Sequence, residues 1–403
     1  LQQLGLRRNR DKGCWVPTTS LTHLGLVVDS ERMLFRPTAA TEARLRSFAK
    51  DITVLASRRQ RMVPASMLAR FCGLAVSQLL AVPEARMMLR RLHDALATAQ
   101  SMRQQVRLPS AALTELAWWQ TAPWGAGAEI DLPHPTVRVA TDASDIGWGA
   151  FLYGSELQAR GTFTVQEFAQ PIMVRELLAV QLALESFGSE LRGRHIELLI
   201  DNQPAAFSLM SLSSRNPAAR AVILRIWELL KSLRARVWVT WIPSEANDKA
   251  DALSRLYDRN DWQLKPSIFQ QLCDRWGRPT VDAFATRVNA QLPKFYARLP
   301  EPGATAVDGL AQEWRDEFVY ANPPWPLIAA VVSKLERSEG VRATLVLPYW
   351  PAAEWYPRLK AIAADMLVLP TDSSTFRPAS TGNEYGMHAP SWNLLVVHVS
   401  GQR

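Results

Sequence analysis

Cysteine is scarce: Cys14, Cys72 and Cys273 are the three in a chain of 403 residues. They are odd in number and far apart, which argues against a disulfide framework and a cysteine-based zinc site and makes a reducing intracellular compartment, nucleus or cytoplasm, the natural one. No His/Cys cluster with metal-ligand spacing occurs, so zinc has little support. No apolar run reaches the ~20 residues that cross a bilayer, and a membrane is not expected among the partners. The first residue is Leu rather than Met, and the expectation is that the start of the natural product lies upstream. Acidic side chains are outnumbered 38 to 46, and the resulting net charge of +8 suits a polyanionic partner. What is abundant is core material: 48% hydrophobic residues and 15 tryptophans, enough for two or three folded domains.

Four acidic residues between positions 137 and 258 stand in sharply patterned segments. An apolar run that stops on an aspartate, Val137 to Asp142, predicts a buried strand that delivers its last side chain to the sheet edge. The segment HIELLID repeats this and ends on Asp201. Between them, VRELLAVQLALESF places Leu177, Val180, Ala183, Leu184 and Phe187 at helical spacing, with Glu176 in the first turn of an amphipathic helix. Asp251 follows the strand Val237–Trp241 and a loop with Pro243 and Asn247, then heads the helical segment ADALSRL. Each acid alone reads as a strand end or helix cap. As a set they would repel one another unless cations sat among them. Magnesium suits hard oxygen ligands, with manganese as a substitute. Two such ions about 4 Å apart would activate a water and stabilise the leaving 3′-oxygen of a phosphodiester.

The motifs TDAS, RELLAV, IDN and ADALSR make the stretch from Val137 to about Asp258 similar to an RNase H domain of the retroelement type. The resemblance implies that Asp142, Glu176, Asp201 and Asp251 bind two Mg²⁺ and that the RNA strand of an RNA/DNA hybrid is cut. One departure stands out: WIPSEANDKAD has Glu245 where that family often holds a histidine, which implies slower product release.

Upstream, LTHLGLVVD and RMLFRP predict two arms of a hairpin. Helices are expected over Thr41–Ala56, after Pro64 at MLARFCGLAVSQLLA, after Pro83 at EARMMLRRLHDALATA, and at LTELAWWQ. Arg7, Arg8, Arg10, Arg44, Arg46, Arg58, Arg59, Arg61, Arg86, Arg90 and Arg91 would either line a nucleic-acid backbone or simply form solvated helix faces. A hairpin with LG and then helices resembles the end of a retroelement reverse transcriptase, which implies that within 1–125 the hairpin is the end of the palm and the helices are the thumb and connection. The YxDD-type polymerase motif is absent, so this part cannot polymerise by itself and implies palm and fingers upstream. Trp118, Trp119 and Trp124 are expected to pack at the domain junction. PWGAGAEIDLPHP reads as a linker, and a second break is expected after Tyr257.

From Trp262 onward the strongest signal is EFVYANPPW, a strand ending on an amide, two prolines and an aromatic ring, an edge that can hold a flipped base. Together with VDAFATRVNA it resembles the NPPY-type DNA adenine-N6 methyltransferases of the phage branch. By that resemblance Asn322, Pro323, Pro324 and Trp325 contact adenine, and Asp282 lies near S-adenosylmethionine, although the usual Gly-rich cofactor loop is missing. The order of the three parts resembles the polyprotein of DIRS-type, tyrosine-recombinase retrotransposons.

The expected architecture is therefore α/β: a mostly helical reverse transcriptase remnant over 1–125, an RNase H-like mixed sheet flanked by helices over 133–258, and a methyltransferase-like α/β domain over 262–403. The expected activity is hydrolysis of RNA in hybrids, with RNA/DNA hybrid and DNA as partners. The rivals are a non-catalytic nucleic-acid-binding remnant and an active DNA adenine-N6 methyltransferase.

Overall fold

A computed structural model describes residues 16–130, 134–256, 262–370, 375–378 and 392–401. Arg7, Arg8, Arg10, Cys14 and the break expected after Tyr257 lie outside the described residues. The chain divides into two compact units, Leu1–His134 with Ser211–Arg215, and Pro135–Met210 with Asn216–Arg403.

In the first unit, the arm expected as one strand is itself a hairpin. β1 (Ser20–His23) and β2 (Leu26–Asp29) pair antiparallel across Leu24 and Gly25. Both turn residues have positive φ, 51° and 83°, the twist a two-residue hairpin turn requires. β3 (Leu34–Pro37) extends the meander and is followed by α1 (Ala39–Arg58), capped by the Thr38 hydroxyl. Then come β4 (Met62–Pro64), α2 (Ala65–Val76), α3 (Arg90–Leu96), β5 (Gln105–Arg107), α4 (Ser110–Thr121) and β6 (Ala128–Glu129). β6 pairs with β3, so part of the expected linker is sheet.

The helix expected over residues 84–99 is broken: Pro83–Leu89 is a 3₁₀ turn, and α3 starts at Arg90. Tertiary contacts explain this. The Trp119 indole donates to the Met88 carbonyl, and the Glu115 carboxylate accepts from the Arg91 and Leu92 amides. Those groups are thereby taken out of a continuous helical ladder. Trp119 and Trp124 lie in this unit's core, with Trp119 edge-to-face on Phe71 at 5.9 Å.

The second unit opens on β7 (Val137–Ala143), β8 (Gly147–Tyr153) and β9 (Leu157–Thr162). α5 (Val165–Phe168), α6 (Ile172–Ser186), α7 (Gly188–Leu191), β10 (His195–Ile200), α8 (Gln203–Met210), α9 (Pro217–Leu233), β11 (Arg236–Trp241) and α10 (Asp248–Ser254) follow. The sheet runs β11-β10-β7-β8-β9: β10 is parallel to both β7 and β11, and β7, β8 and β9 are antiparallel. Successive residues of β7 and β8 are buried, so both faces are covered, and α6 and α10 each pack on these two strands. α6 is buried almost all round because it also meets α8 and α9. It starts at Ile172, so Glu176 stands in its second turn, one turn later than expected.

The same unit continues with β12 (Trp262–Leu264), α11 (Pro266–Trp276), β13 (Val281–Asp282), β14 (Tyr296–Ala297), β15 (Ala306–Val307), β16 (Phe318–Ala321), α12 (Ile328–Arg337), β17 (Arg342–Pro348), α13 (Trp355–Ile362), β18 (Asp365–Leu369), β19 (Phe376–Pro378) and β20 (Leu394–Val399). Its main sheet runs β13-β16-β17-β20-β18, the first three strands parallel and β20 reversed between β17 and β18. Arg287, in the loop after β13, reaches back to the first sheet's surroundings. Its guanidinium grips both Glu167 oxygens, at 3.1 and 2.9 Å, beside the Thr162 carbonyl.

Candidate metal centre

β7 carries Asp142 next to its C-terminal end, and the neighbouring parallel strand β10 stops one residue before Asp201, so the two aspartates emerge at the same sheet edge. α6 packs on β7 and brings Glu176 to that edge. One carboxylate oxygen from each of Asp142, Glu176 and Asp201 lies within 4.8 Å of the others.

Burial and like charge dominate the electrostatics of this group. Burial, with Asp142 and Asp201 adding like charge, pushes the Glu176 carboxyl up to about 9, against the partial relief of the Ala143 amide and Arg175. Burial also raises Asp142, with the Ser254 hydroxyl pulling it back and Asp201 and Asp251 pushing it further up. Asp142 Oδ2 and Glu176 Oε2 are buried and have no hydrogen-bond partner. Buried carboxyl oxygens without donors, gathered in an all-carboxyl set, fit a hard divalent cation.

Asp251 approaches this group without joining it. It is near enough to raise Asp142, but its Oδ1 is held by Arg255, with Nε at 2.8 Å and the terminal nitrogen at 2.6 Å. α10, which carries it, is seated by contacts that the sequence alone did not single out. Asn247 is fully buried and donates from Nδ2 to the Thr141 carbonyl, the residue before Asp142. Gly149 is the cross-strand partner of Asp142, and a Cβ there would meet the Ala250 carbonyl and Ser254 amide at 2.5 Å. Glycine lets α10 lie on the strand beside the acidic edge. Arg175 fixes the turn after β7, donating to the Ser144 carbonyl at 2.7 Å and to Asp145 at 2.9 Å. Of the residues around Asp251, Arg255 alone carries a signal in the sequence, the four-residue spacing that pairs opposite charges on a helix.

Residues 133–232 match the RNase H-like domain found in reverse transcriptase. This domain covers the strands and helix that carry Asp142, Glu176 and Asp201; Asp251 lies beyond the matched residues. Among solved structures, the chain is similar to RNase H1 from the halophilic archaeon Halobacterium salinarum NRC-1, at 25% identity over 29% of this chain and 92% of that one, TM-score 0.25. It is also similar to LC11-RNase H1 isolated from compost, at 18% identity over 30% of this chain and 93% of that one, TM-score 0.24. A third is the foamy viral protease-reverse transcriptase in complex with RNA/DNA hybrid, at 15% identity over 60% of this chain, TM-score 0.24. The chain spans 31% of that viral protein's length. No curated protein matches it.

The C-terminal residues expected to bind adenine and a methyl donor sit at the other sheet. Asp282 ends β13, is buried, and accepts from the Gln291 amide at 3.0 Å and the Phe284 amide at 3.5 Å, closing the intervening loop. Asn322 and Pro323 follow β16, Pro324 is exposed, and Trp325 is half-buried, edge-to-face with Trp350 at 5.5 Å and Trp392 at 5.6 Å. Among the described residues, no helix is long and apolar enough to cross a membrane.

Proposed function

We propose that this chain is a retroelement-derived ribonuclease H that hydrolyses the RNA strand of RNA/DNA hybrids, with Asp142, Glu176, Asp201 and Asp251 as its metal ligands. The observation that carries the reading is the convergence of three carboxylate oxygens within 4.8 Å, two of these side chains keeping a buried oxygen without a donor. Asp142 and Asp201, at the ends of neighbouring strands, and Glu176 on α6 would hold one ion, and Asp251 would serve a second. Magnesium is the ion of choice, with manganese as a substitute, because every ligand is a carboxylate. When bound, the ions supply a water of lowered pKa and neutralise charge on the phosphate. The chain's own share is to gather and orient its carboxylates, with Asn247 and Gly149 seating the helix that carries Asp251. The net charge of +8 favours a polyanionic substrate.

The family matched by residues 133–232 supports a place beside a reverse transcriptase, whose palm and fingers would be a partner inside the cell. A DIRS-type origin is the finer form of this reading, and it depends on the C-terminal sheet. There a second activity, DNA adenine-N6 methylation with S-adenosylmethionine, is favoured by Asn322 and Trp325 standing beyond β16, on the parallel neighbour of β13 with its Asp282.

The test is cleavage of an end-labelled RNA/DNA hybrid with Mg²⁺ by the intact chain and by Asp201→Asn. Cleavage lost in the variant with hybrid binding kept supports the nuclease. Salt-sensitive binding with no cleavage by the intact chain makes it a binding remnant instead. Transfer of a labelled methyl group to DNA, abolished by Asn322→Ala, is the corresponding test of the second activity.

A further inference from the structure

The fourth carboxylate is held differently from the other three. Asp142 and Glu176 each keep a buried oxygen without a donor, whereas Asp251 is engaged by the cation that caps the C-terminal end of its own helix. Arg255 stands one turn further along, and two of its nitrogens converge on the single oxygen Oδ1 at 2.8 and 2.6 Å. The Arg255 side chain is 63% exposed, so its head can leave without disturbing the core. An exposed i,i+4 pair of this kind favours contact by only about twofold. A guanidinium forks onto phosphate oxygens as readily as onto a carboxylate, and a nucleic-acid backbone presents many of them.

We propose that Arg255 is a latch on Asp251. In the free protein it neutralises the fourth carboxylate and leaves one preformed ion site at Asp142, Glu176 and Asp201. A backbone phosphate that takes over the guanidinium releases Asp251 to complete a second ion site, so substrate tips the balance toward that site by about the twofold that the pair is worth. Arg255 is a positioning residue in this scheme, acting through Asp251. The inference rests on the nuclease reading above and adds to it a coupling, through Arg255, between the binding of nucleic acid and of the second ion.

The experiment counts ions rather than products. Mn²⁺ is titrated calorimetrically into the intact chain, alone and with a short DNA duplex that supplies phosphates, for the wild type, Arg255→Ala and Asp251→Asn. The expected result is a second Mn²⁺ bound at least about twofold more tightly by Arg255→Ala than by the wild type without duplex. Duplex should tighten that second ion more in the wild type than in Arg255→Ala, and Asp251→Asn should lose it under both conditions. Two ions bound identically by wild type and Arg255→Ala, with and without duplex, overturn the latch and leave the nuclease reading standing. A wild-type chain that binds no Mn²⁺ overturns both.

Discussion

Glu176 should be a burden on the metal-free fold, and the burden should depend on pH. Its carboxyl ordinarily titrates near 4.5, and burial beside Asp142 and Asp201 pushes it up to about 9. The sign follows from linkage: between those two values the folded chain keeps a proton that the unfolded chain has released, so stability falls as pH rises. Each pH unit costs about 1.4 kcal/mol, so between pH 4.5 and 7 this one group removes about 3 kcal/mol in the absence of divalent ions. Glu176→Gln has nearly the same shape and no charge to bury. Its unfolding free energy in denaturant, with chelator present, should equal the wild type's near pH 4.5 and exceed it by about 3 kcal/mol at pH 7. Saturating Mg²⁺ should shrink the advantage, because an ion bound to the native carboxylates stabilises the wild type. Parallel pH profiles for variant and wild type from pH 4.5 to 7 would refute the argument, since the carboxyl would then titrate alike in folded and unfolded chains.

Three other outcomes follow from named contacts. Gly149→Ala puts a methyl group against the Ala250 carbonyl, the Ser254 amide and Leu253 Cβ, so unfolding free energy should drop by about 1–3 kcal/mol and hybrid cleavage with it; an unaltered melting curve and rate would contradict the close approach of α10. Although burial works against it, Arg287 together with the Thr164 amide holds the Glu167 carboxyl below its ordinary range, and a double-mutant cycle of Arg287→Ala and Glu167→Ala should return a coupling of about 1–2 kcal/mol, whereas simple additivity would dismiss the link. In the first unit, burial pushes the Glu115 carboxyl up to about 7 despite the Arg91 and Leu92 amides, so that unit should lose about 3 kcal/mol as pH rises from 4.5 to 7, a loss that Glu115→Gln removes.

The acidic edge was legible because its signals are local. An apolar run that ends on aspartate places Asp142 and Asp201 correctly, and helical spacing puts Glu176 on α6, although Pro171 starts that helix earlier than the apolar pattern does. What was illegible depends on partners distant in sequence. Nothing near residue 89 predicts that Trp119 and Glu115 would take the backbone groups that a continuous helix needs. Leu24–Gly25 reads as the middle of an apolar strand, and its turn shows only where β1 pairs back on β2. Gly149 and Asn247 look like an ordinary strand glycine and loop asparagine, since their roles exist only where α10 meets β7 and β8. Asp251 marks the limit in the other direction: its motif puts it in the set, whereas in the fold it stands outside the three converging carboxylates and pairs with Arg255.

The central claim is that Asp142, Glu176 and Asp201 share a divalent ion, and anomalous diffraction from Mn²⁺-soaked crystals of the intact chain tests it directly. The account predicts a peak about 2–2.5 Å from a carboxylate oxygen of each of the three residues. Saturating Mn²⁺ with no peak there, or a peak bound only by other residues, would contradict it.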